Sequence, residues 1–344
     1  MPRQNTAGRS RRSRSAESRS PSGTVLGVDL GATKVVSAWV APDGSIVERS
    51  RRHLHANDGP DGVIQTLVAS VRECQGTGRM PGVSSLGVAV AAQVDPKSGT
   101  IVHAPNLGWR NIPLARRLSE EFAGASVVVL NDARAATLAE WQLGAGRGVS
   151  DLFCLILGTG VGGSAVVGGR LLEGGTHALG EVGHITVVAG GRKCHCPNVG
   201  CLEAYVGGWA IAERAREAVE SSRDEGAALV ALAGSQDQIT ARTVFEAARA
   251  RDPLASRLVR ETEAWLADGA VSIANSFNPN LIVLGGGLVA GHPEFAAVIQ
   301  KAVRDRCQPP AATARVVIGH FGEDAPLVGG AEAARRAGGP LPST

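Results

Sequence analysis

The sequence predicts an α/β protein, and three observations carry that prediction. Short runs rich in Val, Leu, Ile and Ala alternate with longer stretches of helical spacing from residue 24 to residue 336. Two of the apolar runs enter a turn bearing Gly and Thr and leave it as a second apolar run. One passes through DLGATK, residues 29–34, into VVSAWV; the other is LFCLIL, then GTGVGG, residues 158–163, then SAVVGGRLL. The shared layout points to two related halves, each offering a glycine turn to one ligand. Finally, aromatic residues make up 3% of the 344 residues against 44% hydrophobic residues, so aliphatic side chains must build the core.

The elements follow in order. Residues 24–30, VVSAWV and IVERSRRHL are separated by the glycine turn and by APDGS, and read as a β-meander. GVIQTLVASVREC has helical spacing, SSLGVAVAA reads as a strand, DPKSGT as the turn of a short hairpin, and PLARRLSEEF as a helix. SVVVL is a buried strand, and Asn131-Asp132 stands where it ends and the helix ARAATLAEWQLGA begins. Beyond the second glycine hairpin come helices at WAIAERAREAVE, TARTVFEAARA and PLASRLVRETEAWLADGAVSIANSF. NLIVL is a strand that runs into Gly285, Gly286 and Gly287. A helix at PEFAAVIQKAVRDRC, a strand at ARVVIG and a helix from about Ala325 to Arg336 complete the series.

Charge is unevenly spread. The formal net charge is +3, but six Arg and one acid, Glu17, give residues 1–23 a charge of +5, which leaves −2 for the rest. The globular part therefore offers no general electrostatic argument for nucleic acid. The basic segment has no apolar stretch of the secretory type and reads as a disordered tail. No run approaches the roughly 20 apolar residues that span a bilayer.

Six Cys are present, and three of them cluster. Cys194, Cys196 and Cys201 follow a C-x-C-x₄-C spacing, with His184 ten residues upstream of the first. Three sulfurs and an imidazole are the mixture that structural Zn²⁺ prefers. Cys74, Cys154 and Cys307 stand alone and read as small buried apolar residues, a usage that fits a reducing cytoplasm better than a disulfide framework. Glu181 and Glu203 bracket the cluster, and His195, between two ligands, is expected to face solvent.

The glycine turns can carry chemistry of their own. Gly31 and Thr33, and later Gly158, Thr159, Gly160, Gly162 and Gly163, would let backbone N–H groups and hydroxyls approach phosphate oxygens closely. Neither a Walker loop nor a dinucleotide fingerprint is present. A lone glycine turn is usually only a turn; two, each with Thr and each between apolar strands, point to a nucleotide phosphate clamp. Asp132 has two readings. It can cap the helix that follows it, or it can accept the proton of a substrate hydroxyl during phosphoryl transfer.

Together DLGATK (29–34), APNLGW (104–109), LNDARAATLAEW (130–141), LGTGVGG (157–163), GEVGH (180–184) and CHCPNVGCLEAY (194–205) resemble the ROK family of sugar kinases and sugar-responsive repressors. The resemblance runs from Val25 to Arg336. It implies a two-domain ribonuclease H-like (actin/hexokinase-like) fold with a zinc-binding insertion: a smaller α/β domain over residues 24–131, a larger one over 132–336 and a tail from 337 to 344. It implies that Asp132 is the catalytic base and that Asn131, Glu181, His184 and Glu203 bind sugar hydroxyls. Asp29, Gly31, Thr33, Lys34 and the 158–163 turn would hold ATP phosphates and Mg²⁺, with Gly285, Gly286 and Gly287 near the nucleoside. His184 would be the fourth zinc ligand. The family commonly forms dimers and tetramers.

This sequence departs from the family pattern at Ala92-Gln93, where a Gly is usual in a loop lying against the sugar. Ser164 and Pro197 replace two further common glycines. The first departure leaves the acceptor open among glucose, N-acetylmannosamine, allose, fructose, kanosamine and a C7-cyclitol. The family's repressors carry a helix-turn-helix of several dozen residues at the N-terminus. The 23 residues before the first strand lack apolar periodicity, so sequence-specific DNA binding is not expected.

Overall fold

The computed structural model describes residues 23–55, 58–76 and 82–337. The two tails expected from the sequence lie outside the described residues, apart from Gly23 and Ala337.

Chain order explains the first sheet. β1 (Val25–Leu30), β2 (Lys34–Val40) and β3 (Ile46–His53) form the expected antiparallel meander. Helix α1 (Gly59–Gln75) has a proline in its first turn, where the missing N–H costs nothing. It buries Val63, Ile64, Leu67, Val68 and Val71 on one face. β4 (Ser85–Val90) then pairs in parallel with β1. β5 (Gln93–Asp95), β6 (Thr100–Ala104) and β7 (Trp109–Ile112) make a small antiparallel sheet, the expected short hairpin extended by a third strand. Helix α2 (Leu114–Glu121), strand β8 (Ser126–Asn131) and helix α3 (Asp132–Gln142) follow, β8 lying parallel to β4.

The second sheet repeats the plan. β9 (Leu152–Leu157), β10 (Val161–Val167) and β11 (Arg170–Leu171) are antiparallel neighbours. After the Cys cluster come α4 (Glu203–Val206), α5 (Gly208–Ser221), α6 (Arg223–Ala233), α7 (Ala241–Arg249) and the long α8 (Pro253–Phe277). β12 (Leu281–Gly285), α9 (Gly287–Gly291), α10 (Phe295–Arg306), β13 (Arg315–Ile318) and α11 (Ala325–Ala337) complete the described chain. Strand orders are β3-β2-β1-β4-β8 and β11-β10-β9-β12-β13. In both sheets the first three strands alternate in direction and the last two run parallel to the third. The likeness of the two glycine hairpins is thus a likeness of two whole sheets.

Aliphatic side chains fill both interiors. Leu26, Val28, Leu67, Leu86 and Val88 anchor one core cluster, and Leu155, Ile211, Leu266, Ile273 and Leu284 another. Helix α11 turns back onto the first sheet. Leu327 packs with Val36 and Ala38, while Val328 and Ala331 pack with Val40 and Ala139 of α3. Backbones touch where α11 crosses β4: a Cβ on Gly87 would overlap the Gly330 carbonyl. Among the described residues no helix is long and apolar enough to cross a membrane.

Candidate active site and Cys/His cluster

Parallel strands deliver side chains to one edge. In register, Asp29 of β1 lies beside Ala89 of β4, and Val90 lies beside Asn131 of β8, so the carboxyl ends of three strands finish together. Asp29, Ala92, Gln93, Asn131 and Asp132 are therefore gathered at that edge. The Asn131 amide nitrogen donates to the Ala92 carbonyl oxygen at 3.4 Å, which ties the substituted loop to the end of β8. Gln93 is exposed beside it.

The two readings of Asp132 now separate. Asn131, not Asp132, is the N-cap of α3: its side-chain oxygen accepts from the Arg134 N–H at 3.2 Å. Capping does not account for Asp132, whose Oδ1 accepts from the N–H of its neighbour Ala133 at 2.9 Å, with the Asn131 side chain also hydrogen-bonded to the carboxyl. Burial raises the Asp132 carboxyl above the ordinary aspartate range. Asp29 is pushed up to about 6, first by burial and then by the charge of Asp132, with Lys34 acting in the opposite direction. Glu323 and Asp324, just before α11, add to that repulsion. Neither was singled out from the sequence, where they look like a solvated pair ahead of a helix.

The 158–160 turn is tied to the opposite wall. Glu203 opens α4, and its Oε2 accepts from the Val161 N–H at 2.8 Å. The absence of a side chain at Gly160 leaves Glu203 its place: a Cβ there would stand 2.5 Å from Glu203 Oε2 and push the carboxylate aside. The Gly208 N–H donates to the Gly158 carbonyl at 3.0 Å and the Trp209 N–H to the Thr159 carbonyl at 3.2 Å. Gly162 and Gly163 belong to β10 rather than to the turn, paired with Ile156 and Leu155 and packed against Ala133 and Phe153. In the first turn the Gly31 N–H donates to the Lys34 carbonyl at 3.0 Å, and the Thr33 carbonyl accepts from the Leu54 N–H at 2.9 Å. Gly285, Gly286 and Gly287 link β12 to α9, with Gly287 beside Glu323.

Glu181 and His184 come from a short 3₁₀ turn over Val182–His184 and its N-cap. Partial desolvation raises the Glu181 carboxyl although its side chain is 52% exposed, and His184 opposes the shift while the charges of Asp132 and Glu203 reinforce it. Asp132, Glu181 and Glu203 therefore lie within electrostatic reach of one another. The His184 Nε2 edge lies 3.9 Å from Glu181 Oε2. Its Nδ1 faces away, 3.7 Å from Cys194 Sγ.

The donor atoms of His184, Cys194, Cys196 and Cys201 all lie within 4.8 Å of one another. Cys196 Sγ and Cys201 Sγ are 3.6 Å apart. A tetrahedral Zn²⁺ with ordinary bond lengths would put sulfur atoms about 3.8 Å apart and nitrogen about 3.6 Å from sulfur. The four residues fit such an ion. Cys74 and Cys154 are buried, as expected, whereas Cys307 is only half-buried at the end of α10. His195 is exposed, yet its ring is stacked on Trp209 with centroids 3.8 Å apart rather than free in solvent.

Comparison with known proteins places these features in context. The chain is 31% identical to a glucokinase of Streptomyces coelicolor over 319 residues, covering 91% of this chain and 98% of that protein. It is 30% identical to an N-acetylmannosamine kinase of Shigella flexneri, covering 90% and 97%. Its fold matches the crystal structure of a ROK family glucokinase from Streptomyces griseus in complex with glucose and AMPPNP. The TM-score is 0.79 at 33% identity, covering 91% of this chain and 99% of that one. A ROK family profile matches residues 25–337, nearly the whole described chain with both glycine turns and the Cys/His cluster, and the chain belongs to the ROK family.

Proposed function

We propose that this protein transfers the γ-phosphoryl group of ATP to a hydroxyl group of a hexose, forming a sugar phosphate in the manner of a glucokinase. The observation that carries the reading is the division of labour at the end of β8. Asn131 caps the helix, which leaves the desolvated carboxyl of Asp132 at the strand edge within electrostatic reach of Asp29 and Glu181.

Asp132 accepts the proton of the sugar hydroxyl as its oxygen bonds to the γ-phosphorus. The bond from that phosphorus to the bridging oxygen breaks, and ADP leaves. Asn131, Glu181, His184 and Glu203 hold the other hydroxyls, which fixes the attacking oxygen. Backbone N–H groups of the 29–34 and 158–160 turns, apart from those of Gly31 and Gly158 that bond within their turns, would bind the phosphates. Mg²⁺ accompanying ATP would neutralise phosphate charge near Asp29. Zn²⁺ held by His184, Cys194, Cys196 and Cys201 would be structural, since four protein ligands leave no open position for a water. The two lobes, residues 24–131 and 132–336, would close over both substrates and exclude the water that otherwise hydrolyses ATP.

Glucose is the default acceptor, and the Ala92-Gln93 loop is the reason to test others. A coupled assay of ADP release over glucose, N-acetylmannosamine, allose, fructose, kanosamine and a C7-cyclitol decides between them. Turnover on at least one is expected. A folded protein inactive on all of them refutes the kinase reading.

A further inference from the structure

We infer that Trp209 is a positioning residue that aims Glu203 at the sugar; the inference rests on the function proposed above. Glu203 has two carboxylate oxygens, and each is engaged on its protein side. Oε2 accepts from the Val161 N–H at 2.8 Å, and Oε1 accepts from the Trp209 indole N–H at 3.3 Å. An ionised carboxylate keeps further lone pairs on both oxygens, so hydroxyl donors can still be received. The terminal torsion of a glutamate is broad and about twofold in preference. With only the Val161 bond, the group could swing about Oε2; the indole N–H holds the second oxygen.

Trp209 can do this because it is fixed on its other sides. Its own backbone N–H donates to the Thr159 carbonyl at 3.2 Å. Its ring lies against the His195 imidazole with centroids 3.8 Å apart and planes 19° from parallel. His195 sits between Cys194 and Cys196, so the indole joins three pieces: the glycine turn, the Cys-bearing loop and the sugar-facing carboxylate. The side chain is half-buried, and its N–H is directed to a carboxylate at the site rather than to a neighbouring helix carbonyl.

The test is Trp209→Phe in the full chain. Phe keeps a ring for His195 and the backbone bond to Thr159, and removes the indole N–H together with part of the ring's bulk. The sugar KM is expected to rise about tenfold, the size expected for a lost hydrogen bond to a charged group, while the ATP KM and kcat stay within about twofold. Zinc content and the thermal melt should be unchanged. In a Glu203→Gln background the same substitution should add less than about twofold, because its target has already been altered. Trp209→Tyr serves if the Phe protein does not fold. A rise in the ATP KM equal to that for sugar, or an unchanged sugar KM beside an active wild type, overturns the inference alone. A wild type that phosphorylates no sugar overturns both the inference and the function on which it rests.

Discussion

Glu203 Oε2 accepts a 2.8 Å hydrogen bond from the backbone N–H of Val161, joining a residue at the start of α4 to the strand that leaves the 158–160 turn. The carboxylate proposed to receive the sugar therefore also sets the backbone proposed to receive phosphate. Glu203→Gln retains one side-chain acceptor atom for two donors, the Val161 N–H and the Trp209 indole N–H. A buried donor left without a partner costs about 1–3 kcal/mol. Both the sugar KM and the ATP KM should rise about tenfold or more when each substrate is varied in turn. A change confined to sugar would mean that this bond does not set the turn.

Asp29 offers a test by pH. Its carboxyl titrates at about 6 in the folded protein against 3.8 for an ordinary aspartate, first because of burial and then because of the charge of Asp132. Between those two pH values the folded state holds a proton that the unfolded state has released. Stability therefore falls as pH rises through that window and stays lower above it. Asp29→Asn should raise the melting temperature of the ligand-free protein at pH 8 by a few degrees, on the order of 1–3 kcal/mol, and should leave it unchanged near pH 3. An equal gain at both pH values would assign the effect to packing.

The Cys/His cluster makes a separate prediction. Cys196→Ala should abolish stoichiometric zinc, measured by atomic absorption. Backbone amides next to the lost ligand, residues 194–198, should then exchange with solvent faster, while those held by backbone bonds such as Gly200 N–H to the Arg192 carbonyl at 2.7 Å stay protected. The sugar KM should rise about tenfold or more, since His184 loses its anchor. Zinc-free protein with a normal sugar KM would make the metal peripheral.

What could be read from the sequence was mostly local. The two glycine hairpins, the C-x-C-x₄-C spacing with His184, and Asn131-Asp132 at a strand end each lie within a short stretch, and the structure builds each into one place. The assignment of the helix cap needed the fold, because Asn and Asp cap equally well and only the Asn131–Arg134 bond decides between them. Distance along the chain hid the rest. Glu203 meets Val161 from 42 residues away, and Glu323 and Asp324 reach Asp29 only because α11 returns to the first sheet. Strand β7 is too short to show alternation. Helix α6 went unread because only Gly226 and Leu229 on it are buried, too few to mark an apolar face. His292 lies 3.0 Å from Glu263, 29 residues away in the chain.

The central claim is that Asp132 takes the proton of the sugar hydroxyl, and the most direct measurement is kcat for Asp132→Asn beside the wild type on its best acceptor. Removing a general base of this kind costs roughly 10²–10⁴-fold in rate. Because Asn131 already supplies the cap and the lost carboxyl is one that burial disfavours in its charged form, the melting temperature should not fall, and sugar affinity by calorimetry should stay within about threefold. A fall in kcat of that size with stability and sugar binding retained is the expected result. Near-normal turnover together with a lowered melting temperature would contradict it and reduce Asp132 to a structural residue.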